Sequence, residues 1–297
     1  MFSGLSAYTL TPMDHQQIDE MHYRQVLQRL VGAQVDSISV LGFTGSYAYL
    51  SENERRRVTD IAVEEAQSLP VIVGISAQET QTTLNLAAHA KHVGAAGLML
   101  TPMSYQHLND EEVFGLYQAI ANAVELPLIV YGNPAATQYE FSDNLYAKIA
   151  SLPHVCCIKI PGMPLSDEEN HARITQLKAL LPSHVTLGIS GDPYGAAGLN
   201  AGCSTWFSQF GGVFPAQALA ITRAAQQGYA VEAVQHSQTL EPIWSLYKQF
   251  GSGLRVMATA AEILELVKAP SLPEPLQALS GRDKQALAQL LSELKLR

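Results

Sequence analysis

The sequence predicts a (β/α)8 barrel with a C-terminal helical extension, and three observations carry that expectation. Eight short apolar runs recur at a spacing of roughly 30 residues, as strands that alternate with helices do. Most are announced by the same punctuation, either Leu-Pro or a glycine-alanine pair. No G-x-G-x-x-G follows the first run, which disfavours the alternative of an open doubly wound sheet.

The first strand is expected at Leu5–Leu10. Gly32-Ala33 precedes the second at Ser37–Val40, Gly94-Ala95 the fourth at Leu98–Leu100, and Ala201-Gly202 the eighth at Thr205–Ser208. Glycine at such points reads as a helix C-cap, because it adopts the left-handed backbone without a Cβ penalty. Leu69-Pro70 leads into the third strand from Val71 and Leu126-Pro127 into the fifth from Leu128. Leu152-Pro153 leads into the sixth at Val155, and Leu181-Pro182 into the seventh at Val185. Proline cannot continue the helix before it. From about residue 215 onward the pattern is helical, broken by a proline-rich stretch at Pro270–Pro275. The expected division is a barrel over 1–222 and a helical domain over 223–297.

At 297 residues, 47% hydrophobic and 15% charged, the chain suits one large globular unit. Its formal net charge of −9, with Arg55-Arg56-Arg57 as the main basic run, argues against a nucleic-acid partner. The start, MFSGLSAYTLTP, lacks the basic and uninterrupted apolar regions of a signal peptide. No apolar stretch approaches the roughly 18 residues of a membrane span. Cys156, Cys157 and Cys203 lack CxxC spacing and read as small buried hydrophobes of a reducing, cytoplasmic setting.

Candidate chemistry centres on Lys159. It closes the run Val155-Cys156-Cys157-Ile158-Lys159, whose apolar residues suit a strand buried on both faces. Burial disfavours the charged ammonium and lowers its pKa from about 10.4, giving a free amine that can attack a carbonyl. The competing reading is a strand-end lysine that snorkels to solvent. In such barrels the strand ends carry the chemistry. After the second strand comes Gly42-Phe43-Thr44-Gly45-Ser46, whose amides and threonine hydroxyl suit a small anion such as a carboxylate. Ser51-Glu52-Asn53-Glu54 behind it has the spacing of a capping box. Tyr131 ends the fifth strand beside the strand of Lys159 and is placed to move a proton. The seventh strand ends in Ser190-Gly191-Asp192, and Phe207 in the eighth precedes Gly211-Gly212. Those glycines would suit a phosphate, but no lysine or arginine lies close by in sequence. His89 and His92 share a helix face without a third ligand and read as surface residues, so no metal site is expected.

Together, the G-x-T-G turn, the fifth-strand Tyr131, the sixth-strand Ile158-Lys159 and the seventh-strand Ser190-Gly191-Asp192 resemble the dihydrodipicolinate synthase/N-acetylneuraminate lyase family of class I, pyruvate-type aldolases. The resemblance runs nearly end to end. It implies a (β/α)8 barrel with a C-terminal helical domain, a homotetramer or dimer, and no cofactor or metal. By it, Lys159 matches the Schiff-base lysine, and Tyr131 the tyrosine that relays protons to it. Thr44 and the amides around Gly45 match the site for the keto-acid carboxylate, and Phe207 matches an apolar lining residue.

Several positions depart from the pattern of that family. Phe43 stands where a hydroxyl residue is usual, and Ser46 where a glutamate is. Pro102-Met103-Ser104 replaces the usual Pro-Tyr-Tyr, leaving Tyr105 one residue out of register. Ala136 occupies the place of the arginine that binds the second substrate's carboxylate in dihydrodipicolinate synthases. The expectation is therefore a Schiff-base aldolase or lyase that joins pyruvate or a related 2-keto acid to an unidentified aldehyde, or cleaves such an adduct. The alternatives are dihydrodipicolinate synthase itself, condensing pyruvate with aspartate semialdehyde, and a non-catalytic keto-acid-binding relative.

Overall fold

The structure is a computed structural model, and it describes residues 2–296. Eight parallel strands close into a barrel: β1 (Gly4–Tyr8), β2 (Ser37–Val40), β3 (Val71–Gly74), β4 (Gly97–Leu100), β5 (Leu128–Tyr131), β6 (Val155–Ile160), β7 (Thr186–Ser190) and β8 (Thr205–Ser208). Each pairs with its sequence neighbours, and β1 closes the ring against β8. The seven strands with leaders lie where those put them, and β1 overlaps the expected Leu5–Leu10, beginning one residue earlier and ending at Tyr8. The leader prolines also join the ladder, since the carbonyls of Pro70 and Pro127 accept from Ile38 and Leu98 N–H.

Strand alternation sorts the side chains into two cores. Leu5, Ile38, Val73, Leu98, Val130, Ile158, Leu187 and Trp206 pack outward beneath the helices. Inside the barrel, Tyr8, Ile72, Met99, Ile129, Tyr131, Cys157 and Phe207 form a separate cluster. Burying each large aliphatic side chain contributes about 1.5–3 kcal/mol, so both cores resist a one-residue slip of register. Helix Pro215–Gln226 packs on β1. Helices Ala230–Thr239, Glu241–Gln249, Gly253–Ile263 and Gly281–Glu293 follow. No helix among the described residues is long and apolar enough to cross a membrane.

Several local expectations hold and others are corrected. Gly94 caps its helix with φ +94°, and Ser51 with Glu54 forms the full capping box of helix Glu52–Glu65. Gly32, by contrast, lies within helix Glu20–Ala33; Gln34 takes the left-handed cap (φ +57°), where its N–H reaches the Leu30 and Val31 carbonyls. A two-residue antiparallel hairpin, Met13–Asp14 with Gln17–Ile18, was too short for alternation to reveal. Arg55 does not belong to a solvated basic face: it is buried, donating to the carbonyls of Gly74 and Ser76 at 3.1 and 2.9 Å. Only Arg56 and Arg57 are surface ion-pair partners, with Glu52 and Glu20. His89 is likewise no free surface residue, since its Nε2 lies 2.7 Å from Asp60.

Candidate active site

A cavity of about 310 Å³ opens at the C-terminal end of the barrel. Lys159 reaches it from β6, directly beside Tyr131 of β5, because the two residues are register partners and both point inward. Alternation from the buried Cys157 and Ile129 fixes that parity. The lysine is only 2% exposed. Its Nζ sits 3.2 Å from the centroid of the Tyr131 ring, with the rings of Tyr8 and Phe207 at 5.2 and 5.7 Å. Three aromatic walls exclude water. Burial therefore holds the Lys159 amine well below the ordinary lysine pKa, against the opposing pull of Asp192 and the Cys157 thiol. The lowered pKa enlarges the share of uncharged, nucleophilic amine.

Tyr131 is buried, and its hydroxyl accepts from Asn133 Nδ2 at 2.9 Å. Burial raises its pKa, reinforced by the nearby Tyr47 phenol, so it is a neutral phenol able to give and take a proton. Thr44 is buried in the cavity wall, while Phe43 beside it is 39% exposed at the mouth. Gly42 of the same turn packs against the Tyr8 ring so closely that any Cβ would collide at 2.2 Å. Gly45 does not itself line the cavity; its carbonyl accepts from the Thr11 hydroxyl at 2.9 Å, which anchors the turn. Ala136 lies on the exposed rim and Phe207 on the floor. The structure thus gathers Lys159, Tyr131, Thr44, Phe43, Phe207 and Ala136 around one space, with Gly45 just behind it.

Gly211 and Gly212 are closed in by their neighbours. A Cβ on Gly212 would strike the Tyr8 carbonyl at 1.8 Å, and Gly211 N–H is taken by Ser208 Oγ. These glycines let the chain cross the end of β1; they form no open cradle.

Other residues at the site carried weaker signals in the sequence. Tyr8 ends β1 and donates to Met99 Sδ at 2.7 Å. Its inward parity was readable from period-two alternation with Leu5 and Ala7. Asp192 is 1% exposed and lines the cavity. One oxygen accepts from the Ser208 hydroxyl at 2.7 Å; the other accepts from Phe210 N–H at 2.9 Å and the Tyr247 hydroxyl at 3.3 Å. Burial pushes the Asp192 pKa up to about 6, although these bonds and the lysine pull it down. Tyr247 lies on helix Glu241–Gln249, so this carboxylate ties the C-terminal helices to the barrel mouth. No sequence signal connected residues so far apart.

The fold and the lysine at a barrel-strand end define a family by comparison as well. A sequence model of the dihydrodipicolinate synthetase family matches residues 1–294, and the chain belongs to that family. It is 30% identical over 301 residues to the 4-hydroxy-tetrahydrodipicolinate synthase of Protochlamydia amoebophila, covering 98% of this chain and 96% of the relative. The enzyme of the same name from Phenylobacterium zucineum is 34% identical over 161 residues; there the match spans 54% of each chain, about half the relative's length. Among solved structures, the dihydrodipicolinate synthase of Agrobacterium tumefaciens superposes with a TM-score of 0.94 at 36% identity, covering 99% of this chain and 98% of the other.

Proposed function

We propose that the protein is a Schiff-base aldolase or lyase acting on pyruvate or a related 2-keto acid and an aldehyde. The observation that carries this reading is Lys159, an amine desolvated by three aromatic rings and open to a cavity at the end of the barrel. Its Nζ attacks the C2 carbonyl of the keto acid, and Tyr131 protonates the carbinolamine hydroxyl so that it leaves as water. Thr44 and the amides of its turn hold the keto-acid carboxylate, and Phe207 packs beside it. The Tyr131 phenolate takes the C3 proton, the electron pair of that C–H bond moves to the iminium to give an enamine, and the restored phenol is the proton donor for the next step. C3 attacks the aldehyde carbon, the aldehyde oxygen takes up a proton, and water hydrolyses the imine to release a 4-hydroxy-2-keto acid and free Lys159. Cleavage is the same sequence reversed.

The test is to mix the protein with pyruvate, reduce with borohydride and locate the adduct by peptide mass spectrometry. An adduct on Lys159 supports the reading; a folded protein without one overturns it. A second reading, condensation with aspartate semialdehyde, is favoured by the names of the relatives. It is opposed by Ala136, which offers no cation at the rim, and is tested by adding that aldehyde directly.

The proposed setting is the cytoplasm, in keeping with three free cysteines. A homo-oligomer, dimer or tetramer, is supported by the exposed Tyr49 and by Tyr105, 88% exposed, on the loops after β2 and β4.

A further inference from the structure

In the proposed mechanism Tyr131 gives up a proton and takes one back at a buried position, so the surroundings of its oxygen matter. Lys159 Nζ lies over the face of the ring, 3.2 Å from its centroid, and leaves the phenol oxygen to other partners. Three of the hydroxyls that line the cavity are engaged elsewhere. Tyr8 donates to Met99 Sδ at 2.7 Å, Ser190 donates to the Ile160 carbonyl at 2.8 Å, and Ser252 Oγ accepts from Leu254 N–H at 3.1 Å. Of the two carboxamides on the lining, Gln209 is packed against Gly253. The other, Asn133, donates from Nδ2 to the Tyr131 oxygen at 2.9 Å, the one hydrogen bond that oxygen makes among the described residues.

Asn133 stands where a different bond is usual. It is the N-cap of the short helix Pro134–Thr137, a position at which an asparagine side chain ordinarily accepts from a backbone N–H of the first turn. Here the side chain makes no cap bond. The main chain anchors the residue instead, since the Asn133 carbonyl accepts from Ala136 N–H, Thr137 N–H and the Thr137 hydroxyl, each at 3.0 Å. The amide is thereby free to turn toward Tyr131. An amide N–H donates and cannot accept. It occupies a lone pair of the phenol oxygen but cannot take the phenol proton, which is left to point at whatever the cavity holds. Burial and the Tyr47 phenol both oppose a phenolate at Tyr131, and the Asn133 bond pulls the other way.

We propose that Asn133 is the positioning residue of Tyr131: its N–H aims the phenol proton at the bound keto acid and holds the phenolate left behind. This rests on the reading of Tyr131 as the proton-transfer residue. When the Tyr131 O–H bond breaks, its proton goes to the carbinolamine oxygen. The C2–O bond breaks as water leaves, and the Nζ lone pair closes the C2=N bond. The negative charge stays on the Tyr131 oxygen, where Asn133 Nδ2–H stabilises it until the C3 proton arrives. Asn133 acts through Tyr131 and transfers no proton itself.

The test needs pyruvate alone. Exchange of its methyl protons in deuterated water, followed by NMR and corrected for the protein-free rate, reports the C3 proton step. Asn133→Leu removes the donor at similar size and should slow exchange at saturating pyruvate at least about tenfold, with the half-saturating concentration changed less than about twofold. Asn133→Asp sets an acceptor against the phenol and should slow exchange further. Aspartate also suits a helix start, so this variant carries the test if the leucine variant fails to fold. In a Tyr131→Phe background either substitution should change the residual rate less than about twofold, because its effect passes through the phenol. A residue that merely shapes the loop would lower both backgrounds alike. Wild-type exchange in Asn133→Leu, full exchange in Asn133→Asp, or an equal loss in the Tyr131→Phe background overturns the assignment. Borohydride trapping of pyruvate is run in parallel. A wild type that neither traps nor exchanges sinks the imine reading and this assignment together. Trapping without exchange, or a Tyr131→Phe variant as fast as wild type, sinks the Tyr131 reading and this assignment with it. A slow Tyr131→Phe beside unaffected Asn133 variants sinks this assignment alone.

Discussion

The inner wall of the active site and its outer rim are built by different rules. The inner wall comes from consecutive strands: Tyr131 and Lys159 are register partners on β5 and β6, and Tyr8 and Phe207 face them from β1 and β8. Each points inward because its neighbours two residues earlier do. The rim comes from loops and from the C-terminal helices, which bring Gln209, Ser252 and Tyr247 to the same space from separate stretches of chain. In the proposed mechanism, reactivity depends on backbone parity, which tolerates little change, and selectivity on loop side chains that are substituted without moving a strand.

That contrast is broken most directly at Lys159. Lys159→Met should abolish borohydride-trapped adduct and lower turnover by at least ~1,000-fold, read by steady-state kinetics. The same variant should melt no lower than wild type, because it removes a desolvated polar group without opening a cavity. Tyr131→Phe should lower kcat by about 100-fold or more, with a much smaller change in the affinity for pyruvate. A fall in affinity alone would mean that the phenol binds and does not relay.

Asp192 sharpens the comparison by joining wall to rim. Its folded pKa of about 6 lies above its unfolded value of 3.8. Between about pH 4 and 6 the native state therefore binds more protons than the unfolded one, and this group contributes a loss of stability as pH rises. The full loss is up to about 3 kcal/mol. Lys159 has the opposite sign: its lowered pKa means the unfolded chain binds more protons, so its contribution rises toward pH 10.5. Denaturant titrations of Asp192→Asn against wild type should show the acid-side slope vanish; an unchanged slope would remove Asp192 as its source.

At the rim, Ala136→Arg should raise kcat/KM for aspartate semialdehyde about tenfold, the size of one charge-assisted contact, while leaving pyruvate trapping intact. The smallest effect belongs to Tyr247→Phe, which deletes one hydrogen bond to Asp192 and should cost about 1 kcal/mol in urea unfolding.

The same division separates what was legible in the sequence from what was not. The strand order, the inward parity of Lys159 and Tyr131 and the turn bearing Thr44 were readable, because proline, glycine and alternating apolar residues act over a few positions. The burial of Arg55 was not legible, since a run of three arginines looks the same whether or not one turns inward to the Gly74 and Ser76 carbonyls. Asp192 stood in a visible motif, yet nothing local announced that Ser208 and Tyr247 would meet its carboxylate. Gln209 carried no signal at all.

By itself, the sequence determined the barrel, its eight strands and the lysine at the end of the sixth, through short-range periodicity and backbone sterics. Only the tertiary structure decided how deeply Lys159 is desolvated and which carboxylate sits in the cavity with it. Those depend on atoms brought together from distant parts of the chain, and desolvation is a property of the assembled surroundings, not of any residue alone.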